Sequence, residues 1–196
     1  MLEIIFVRHG ESKMNKESLY CGWTDSFLTD KGVKQAEAVR KKLAGEEIKL
    51  IISSDLNRCF ITAEIINKDH RKRIEKESSL KELNFGIWEG LSYDEIINKF
   101  PVEAKYWAED FTNFKIPRGE SLMEMHERVN NTFEKIINKY KKGKILIVTH
   151  GGVIRSILSE QITGSIDGYW KFKIENCGIT RLQITEGFPI LSGINQ

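Results

Sequence analysis

Three short stretches of the 196-residue chain carry an apolar run straight into chemically capable side chains: "FVRHGES" (6–12), "IISSDLNR" (51–58) and "ILIVTHGG" (145–152). Together they supply Arg8, His9, Arg58 and His150. Two guanidiniums offer planar forks that match phosphate oxygens. Helix starts after Ser54 and after His150 add backbone N–H groups and the positive end of a dipole. Gly10, Gly151 and Gly152 allow the backbone to approach an anion closely. The ligand these groups predict is a phosphoryl group. Zinc fits less well: His9 and His150 lack local ligand spacing, no Cys accompanies them, and two arginines repel a cation. A Walker-type loop is absent. A lone His at a strand end is ordinarily structural, and a lone Arg on a helix is ordinarily a surface cation. Four such groups on three strand ends are hard to explain that way. His70 and His126 keep the structural reading, as surface residues on or near helices.

The four groups converge only if three buried strands lie side by side, because ligands in open α/β sheets sit outside the carboxyl ends of the strands. The apolar runs 2–7, 50–53 and 145–150 are those strands. A weaker edge strand is expected over 73–77 and a final strand over 179–184. Helices are expected between them. One spans 28–45, with Val33, Ala36, Val39 and Leu43 inward and Gly45 as its stop; another spans 56–67, with Leu56, Phe60, Ala63 and Ile66 on one side. A long one spans 120–141, with Leu122, Met125, Val129, Phe133, Ile136 and Tyr140 at helical spacing. Its basic end, "KYKKGK", reads as cations at a helix C-terminus rather than a nucleic-acid patch. The alternation predicts an α/β fold: a three-layer sandwich whose mostly parallel central sheet is flanked by helices. Residues 86–118 break the rhythm. Ser92 with Glu95 makes a capping box, Pro101 ends that short helix, and seven aromatic residues crowd the stretch. It is expected to be a small helical insertion capping the carboxyl edge of the sheet, within a single domain over 1–196.

Composition excludes several classes. Apolar residues at 40% are enough for a core, and a net charge of +2 is too weak to imply nucleic acid or an acidic membrane surface. No apolar run approaches a membrane span, and the N-terminus shows no leader pattern. Cys21, Cys59 and Cys177 form neither a disulfide framework nor a zinc pattern, so a cytoplasmic location is the simplest expectation.

The segments "RHGE", "SSDLNRCFITA", "ELNFGIWEG", "PRGES" and "VTHGGVIR", in this order over nearly the whole chain, resemble the histidine phosphatase superfamily, in its phosphoglycerate mutase-like branch. Within that branch, "YCGWTDSFLTDKG" and "LNFGIWEGLSYDEI" look like the α-ribazole phosphatases of cobalamin assembly. The resemblance implies a cofactor-independent enzyme that hydrolyses a small-molecule phosphomonoester. His9 would attack phosphorus to give a phosphohistidine. Arg8, Arg58 and His150 would hold the phosphate and stabilise its equatorial oxygens. Asn15, Cys21, Gly22 and Gly151 would complete substrate binding. No metal or organic cofactor is required.

A leaving alkoxide needs a proton, and Glu11, Glu82, Glu89 and Glu120 are the candidates that residue chemistry leaves open. The family likeness points to Glu82, in "LKELNFG"; Gly151 after the second His removes the Asp that some relatives use there. Family mutases carry a longer insertion with an Arg-Arg pair for a carboxylate. Residues 86–118 hold no such pair and Arg118 stands alone, which favours hydrolysis. The alternatives are a broad-specificity or phosphoserine phosphatase, a phosphoglycerate mutase, and a non-catalytic phosphate-ester or protein-binding member.

Overall fold

The computed structural model describes all residues, 1–196. Strand β1 (Leu2–Arg8) leads through a single-turn helix α1 (Lys13–Lys16) to α2 (Asp30–Leu43) and β2 (Ile48–Ser53). Helix α3 (Asn57–His70) and a short β3 (Ile74–Lys76) follow. Then come α4 (Tyr93–Lys99), α5 (Pro101–Glu109), α6 (Leu122–Lys139), β4 (Gly143–Thr149) and α7 (Gly151–Leu158). The chain closes with β5 (Ile179–Thr185) and β6 (Phe188–Gly193).

One six-stranded sheet runs in the order β3-β2-β4-β1-β5-β6. The first four are mutually parallel, and β5 and β6 are antiparallel. Central strands are buried on both faces, which is why their sequences are continuous rather than alternating apolar runs. Ile5, Val7, Ile51, Leu146 and Val148 pack under α2 and α3, while Ile4, Phe6, Ile52, Ile145 and Ile147 pack under α6 and α7. These are the three layers that the alternation predicts.

Register does the rest. Arg8 pairs with Thr149, and Ser53 with Val148, so β1, β4 and β2 end level. His9, His150 and Ser54 therefore emerge side by side.

Several local expectations change. Strand 179–184 is not the last, because the hairpin strand β6 pairs with it antiparallel; its alternation of exposed residues left no apolar signal. In α2, Val33 is exposed and Gly32 is buried, because the loop after β1 crosses there. The helix ends at Leu43, and Gly45 adopts no left-handed conformation. In α3, Phe60 is only half-buried, under a Lys76 ammonium 3.8 Å above its ring, and Cys59 and Thr62 face inward instead. His126 is buried rather than on the surface; its ring bonds Ser156 Oγ at 2.9 Å and Glu160 at 3.0 Å.

The insertion forms as its signals predict, with the Ser92–Glu95 capping box and Pro101 at the first turn of α5. Its rings pack on one another. Trp88, fully buried, meets Trp107 edge-on at 5.6 Å and stacks with Phe114 at 6.3 Å.

Candidate active site

A pocket of about 390 Å³ opens at the carboxyl ends of β1 and β4. Arg8, His9, Asn15, Cys21 and Glu82 line it, with Ser18, Leu19, Tyr20, Phe85 and Asn176. Arg58 and His150, both fully buried, form the structure behind it.

The His9 ring is fixed in a definite tautomer. Its Nδ1 lies 2.7 Å from the Gly10 carbonyl, which can only accept, so Nδ1 carries the hydrogen and Nε2 keeps its lone pair. Burial, then the Arg58 and Arg8 charges, hold its pKa well below the ordinary histidine range. A neutral imidazole with a free Nε2 is what a nucleophile requires. His150 stands edge-on to it, with ring centroids 5.2 Å apart, and bonds Ser54 Oγ at 3.0 Å. Its pKa is also well lowered, by burial, Arg58, His9 and Arg8.

The arginines are anchored but incompletely satisfied. Arg8 donates from Nη1 to the Ile174 carbonyl at 2.8 Å. Arg58 donates from Nη1 to the Thr24 carbonyl at 3.0 Å and from Nη2 to the carbonyls of Cys21 and Gly22. The Nε–H of each is buried without a partner. Two orphaned guanidinium donors beside a free imidazole nitrogen fit an anion such as a phosphoryl group. The donor set does not suit a metal: no group of three His, Cys, Asp or Glu side chains is placed to hold one.

Asn15 Oδ1 accepts from Ser12 N and Asn176 Nδ2, both at 3.2 Å, so its NH₂ is the part left for a ligand. Gly151 is the first residue of α7, and its N–H has no intrahelical acceptor. Gly22 is not part of the pocket wall; its N–H is already bonded to Glu89 and its carbonyl to Arg58. The other glycines serve packing. A Cβ on Gly10 would meet the backbone of Gly32, and one on Gly152 would meet Glu82.

Of the four carboxyl candidates, only Glu82 lines the pocket. Leu83 N and Gly152 N each donate to it at 3.0 Å. Glu11 turns away to Lys31 and Thr29, which lower its pKa. Glu120 is held by Arg128, and Glu89 binds backbone amides.

Sequence reasoning missed Asn176, whose Nδ2 also donates to the His9 carbonyl at 3.0 Å. It lies in a loop before β5, with no apolar run to announce it. Residues 86–118 hold seven aromatic residues. None of the seven lines the pocket; the rings there are Tyr20 and Phe85, edge-on at 4.9 Å.

Comparison with known proteins agrees with this geometry. The family model of the Histidine phosphatase superfamily (branch 1) matches residues 4–196. The chain is 34% identical to Probable phosphoglycerate mutase GpmB of Escherichia coli O1:K1, over 98% of this chain and 90% of that protein. It is 27% identical to Phosphoserine phosphatase 1 of Hydrogenobacter thermophilus, over 100% of this chain and 92% of the relative. The Alpha-ribazole Phosphatase structure from Shigella flexneri superimposes with a TM-score of 0.94 at 25% identity, covering 99% of this chain and 96% of that one. The chain belongs to branch 1 of the histidine phosphatase superfamily. It is a phosphatase. No helix is long and apolar enough to cross a membrane.

Proposed function

We propose that the protein hydrolyses a phosphomonoester whose alcohol carries no carboxylate, and that this substrate is α-ribazole 5′-phosphate. The observation that carries the substrate choice is the wall facing the phosphate anchors. Leu19, Tyr20 and Phe85 form it, and no Lys or Arg other than Arg8 lines the pocket. Phosphoserine and phosphoglycerate bring a carboxylate that would call for a second cation. A ribose bearing a flat, neutral base meets apolar and aromatic surface instead. The likeness to an α-ribazole phosphatase structure supports the same choice.

In this reading His9 Nε2 attacks phosphorus in line with the ester oxygen. A P–N bond forms as the P–O bond breaks, and Glu82 gives its proton to the departing alkoxide. Arg8, Arg58, the Asn15 amide and the Gly151 N–H hold the equatorial oxygens, with His150 beside them. Water then attacks the phosphohistidine, Glu82 takes a proton from it, and His9 and inorganic phosphate are released. Residues 86–118 cap this single catalytic unit, and Glu89 and Trp88 secure them to it.

The test is kcat/KM for α-ribazole 5′-phosphate, phosphoserine, 3-phosphoglycerate and a nitrophenyl ester, with mutase turnover followed in parallel and His9→Ala as the blank. The expected result is a preference for α-ribazole phosphate of at least about tenfold, or about 1.4 kcal/mol. Preference for phosphoserine, or phosphoryl transfer between phosphoglycerates, would overturn the substrate assignment.

A further inference from the structure

Glu89 makes an arrangement that no step above uses. Its Oε1 accepts from Trp23 N at 2.8 Å and Phe85 N at 3.1 Å, and its Oε2 from Gly22 N at 3.1 Å and Thr24 N at 3.2 Å. On the other side, the carbonyls of Cys21, Gly22 and Thr24 accept from the Arg58 guanidinium. One short run of peptide units is thus held between an anion and a cation, with amides facing Glu89 and carbonyls facing Arg58. Arg58 makes no direct ion pair. Its charge is therefore not neutralised by a touching carboxylate that would compete with a bound phosphate.

We propose that Glu89 is a positioning residue: through the backbone of residues 21–24 it fixes the Arg58 guanidinium and so sets the affinity of the pocket for a phosphoryl group. Gly22 belongs to the same device. A Cβ there would collide with the Leu83 carbonyl and the Glu89 carboxylate, and would stand 3.0 Å from Phe85 N. The residue is glycine because the loop passes too close to both for a side chain. Glu89 lies in the capping segment and Arg58 on α3, so the clamp ties the cap to the phosphate site. Each oxygen of Glu89 takes two N–H groups, so an amide in its place, whose NH₂ cannot accept, forfeits two of the four bonds.

The inference rests on Arg58 being a phosphate-binding group. The experiment reads binding of inorganic phosphate by titration calorimetry, independently of turnover, in the wild type, Glu89→Gln, Arg58→Ala and the double variant. Thermal midpoints establish that each is folded; Glu89→Asp, too short to span both sides, serves if Glu89→Gln is not. Glu89→Gln is expected to weaken phosphate binding about 10- to 100-fold, as loosened positioning of a binding group does. The double variant should bind no more weakly than Arg58→Ala alone, because Glu89 acts only through Arg58. Losses that multiply in the double variant, or unchanged binding in a folded Glu89 variant, would overturn the proposal. If Arg58→Ala itself leaves binding intact, the fault lies in the reading of the phosphate site and the clamp falls with it.

Discussion

Gly152→Ala tests the proposed acid role of Glu82 by displacing its carboxyl rather than replacing it. Gly152 is in the first turn of α7 and has no positive φ, so an alanine suits its backbone. Left to helix propensity alone, the change would stabilise the protein by roughly 0.4–1 kcal/mol. The space is the obstacle. A Cβ at 152 would lie 2.2 Å from Glu82 Oε1, 2.7 Å from the Tyr169 hydroxyl and 3.0 Å from Glu82 Cδ. Carbon atoms prefer about 3.5–4.0 Å. The Glu82 oxygen must therefore retreat by roughly 1 Å, and the bond from Gly152 N to the carboxyl is strained or lengthened with it. Misplacement of about 1 Å can cost about 100-fold, so a loss of roughly 10- to 100-fold is expected where the acid matters. The assay compares kcat on an alkyl phosphate, whose alkoxide needs the proton, with kcat on nitrophenyl phosphate, whose leaving group does not. The alkyl ester should suffer the full loss, and the nitrophenyl ester only a few-fold one. Equal losses on both esters would mean that the damage reaches the phosphate anchors. No loss on either would mean that Glu82 is not the proton donor.

The depressed pKa of His9 places the acid limb of kcat/KM below the ordinary histidine range; Arg58→Ala, removing one cause, should move that limb to higher pH. Because His9 and His150 titrate lower in the folded protein than in the unfolded chain, stability is fully present above about pH 6.5. It should fall below that pH towards the depressed folded values, by up to about 1.4 kcal/mol per pH unit for each histidine. Urea unfolding at pH 7, 6 and 5 measures this, and flat stability would contradict it. Trp88→Ala should cost about 3–5 kcal/mol in the same assay, while kcat/KM of the folded protein stays within a few-fold, since Trp88 packs the cap and does not line the pocket. Activity should survive dialysis against EDTA; complete loss would contradict a mechanism carried by His9 and Glu82.

What the sequence made legible follows from which forces are local. A strand buried on both faces is largely apolar, so residues 4–7 and 145–148 announce themselves, and the polar residues that follow each run stand at its carboxyl end. That is why Arg8, His9 and His150 could be found without coordinates. Arg58 was legible for a related reason, in the first turn of the helix after β2. The residues that hold these groups were not legible, because their partners are distant in sequence and chemically ordinary. Asn176 orients Asn15 from 161 positions away, and Glu89 binds Trp23 across 66. Neither bond leaves a periodicity. Glycines mislead for the same reason: Gly10 and Gly152 look like openings for an anion, yet each is small because a neighbouring backbone or carboxylate occupies the space. Helix faces shifted where tertiary contact outweighed hydrophobicity. Thr62 faces inward in α3 because its hydroxyl accepts from Gly10 N at 3.2 Å, next to His9, while Phe60 yields and takes a lysine above its ring. In the proposed site the groups assigned to phosphate are set by strand ends and the helix start after β2. The groups that aim them are set by long-range hydrogen bonds, so only variants at positions such as Glu89, Gly152 and Asn176 can measure how much of the catalysis is aim.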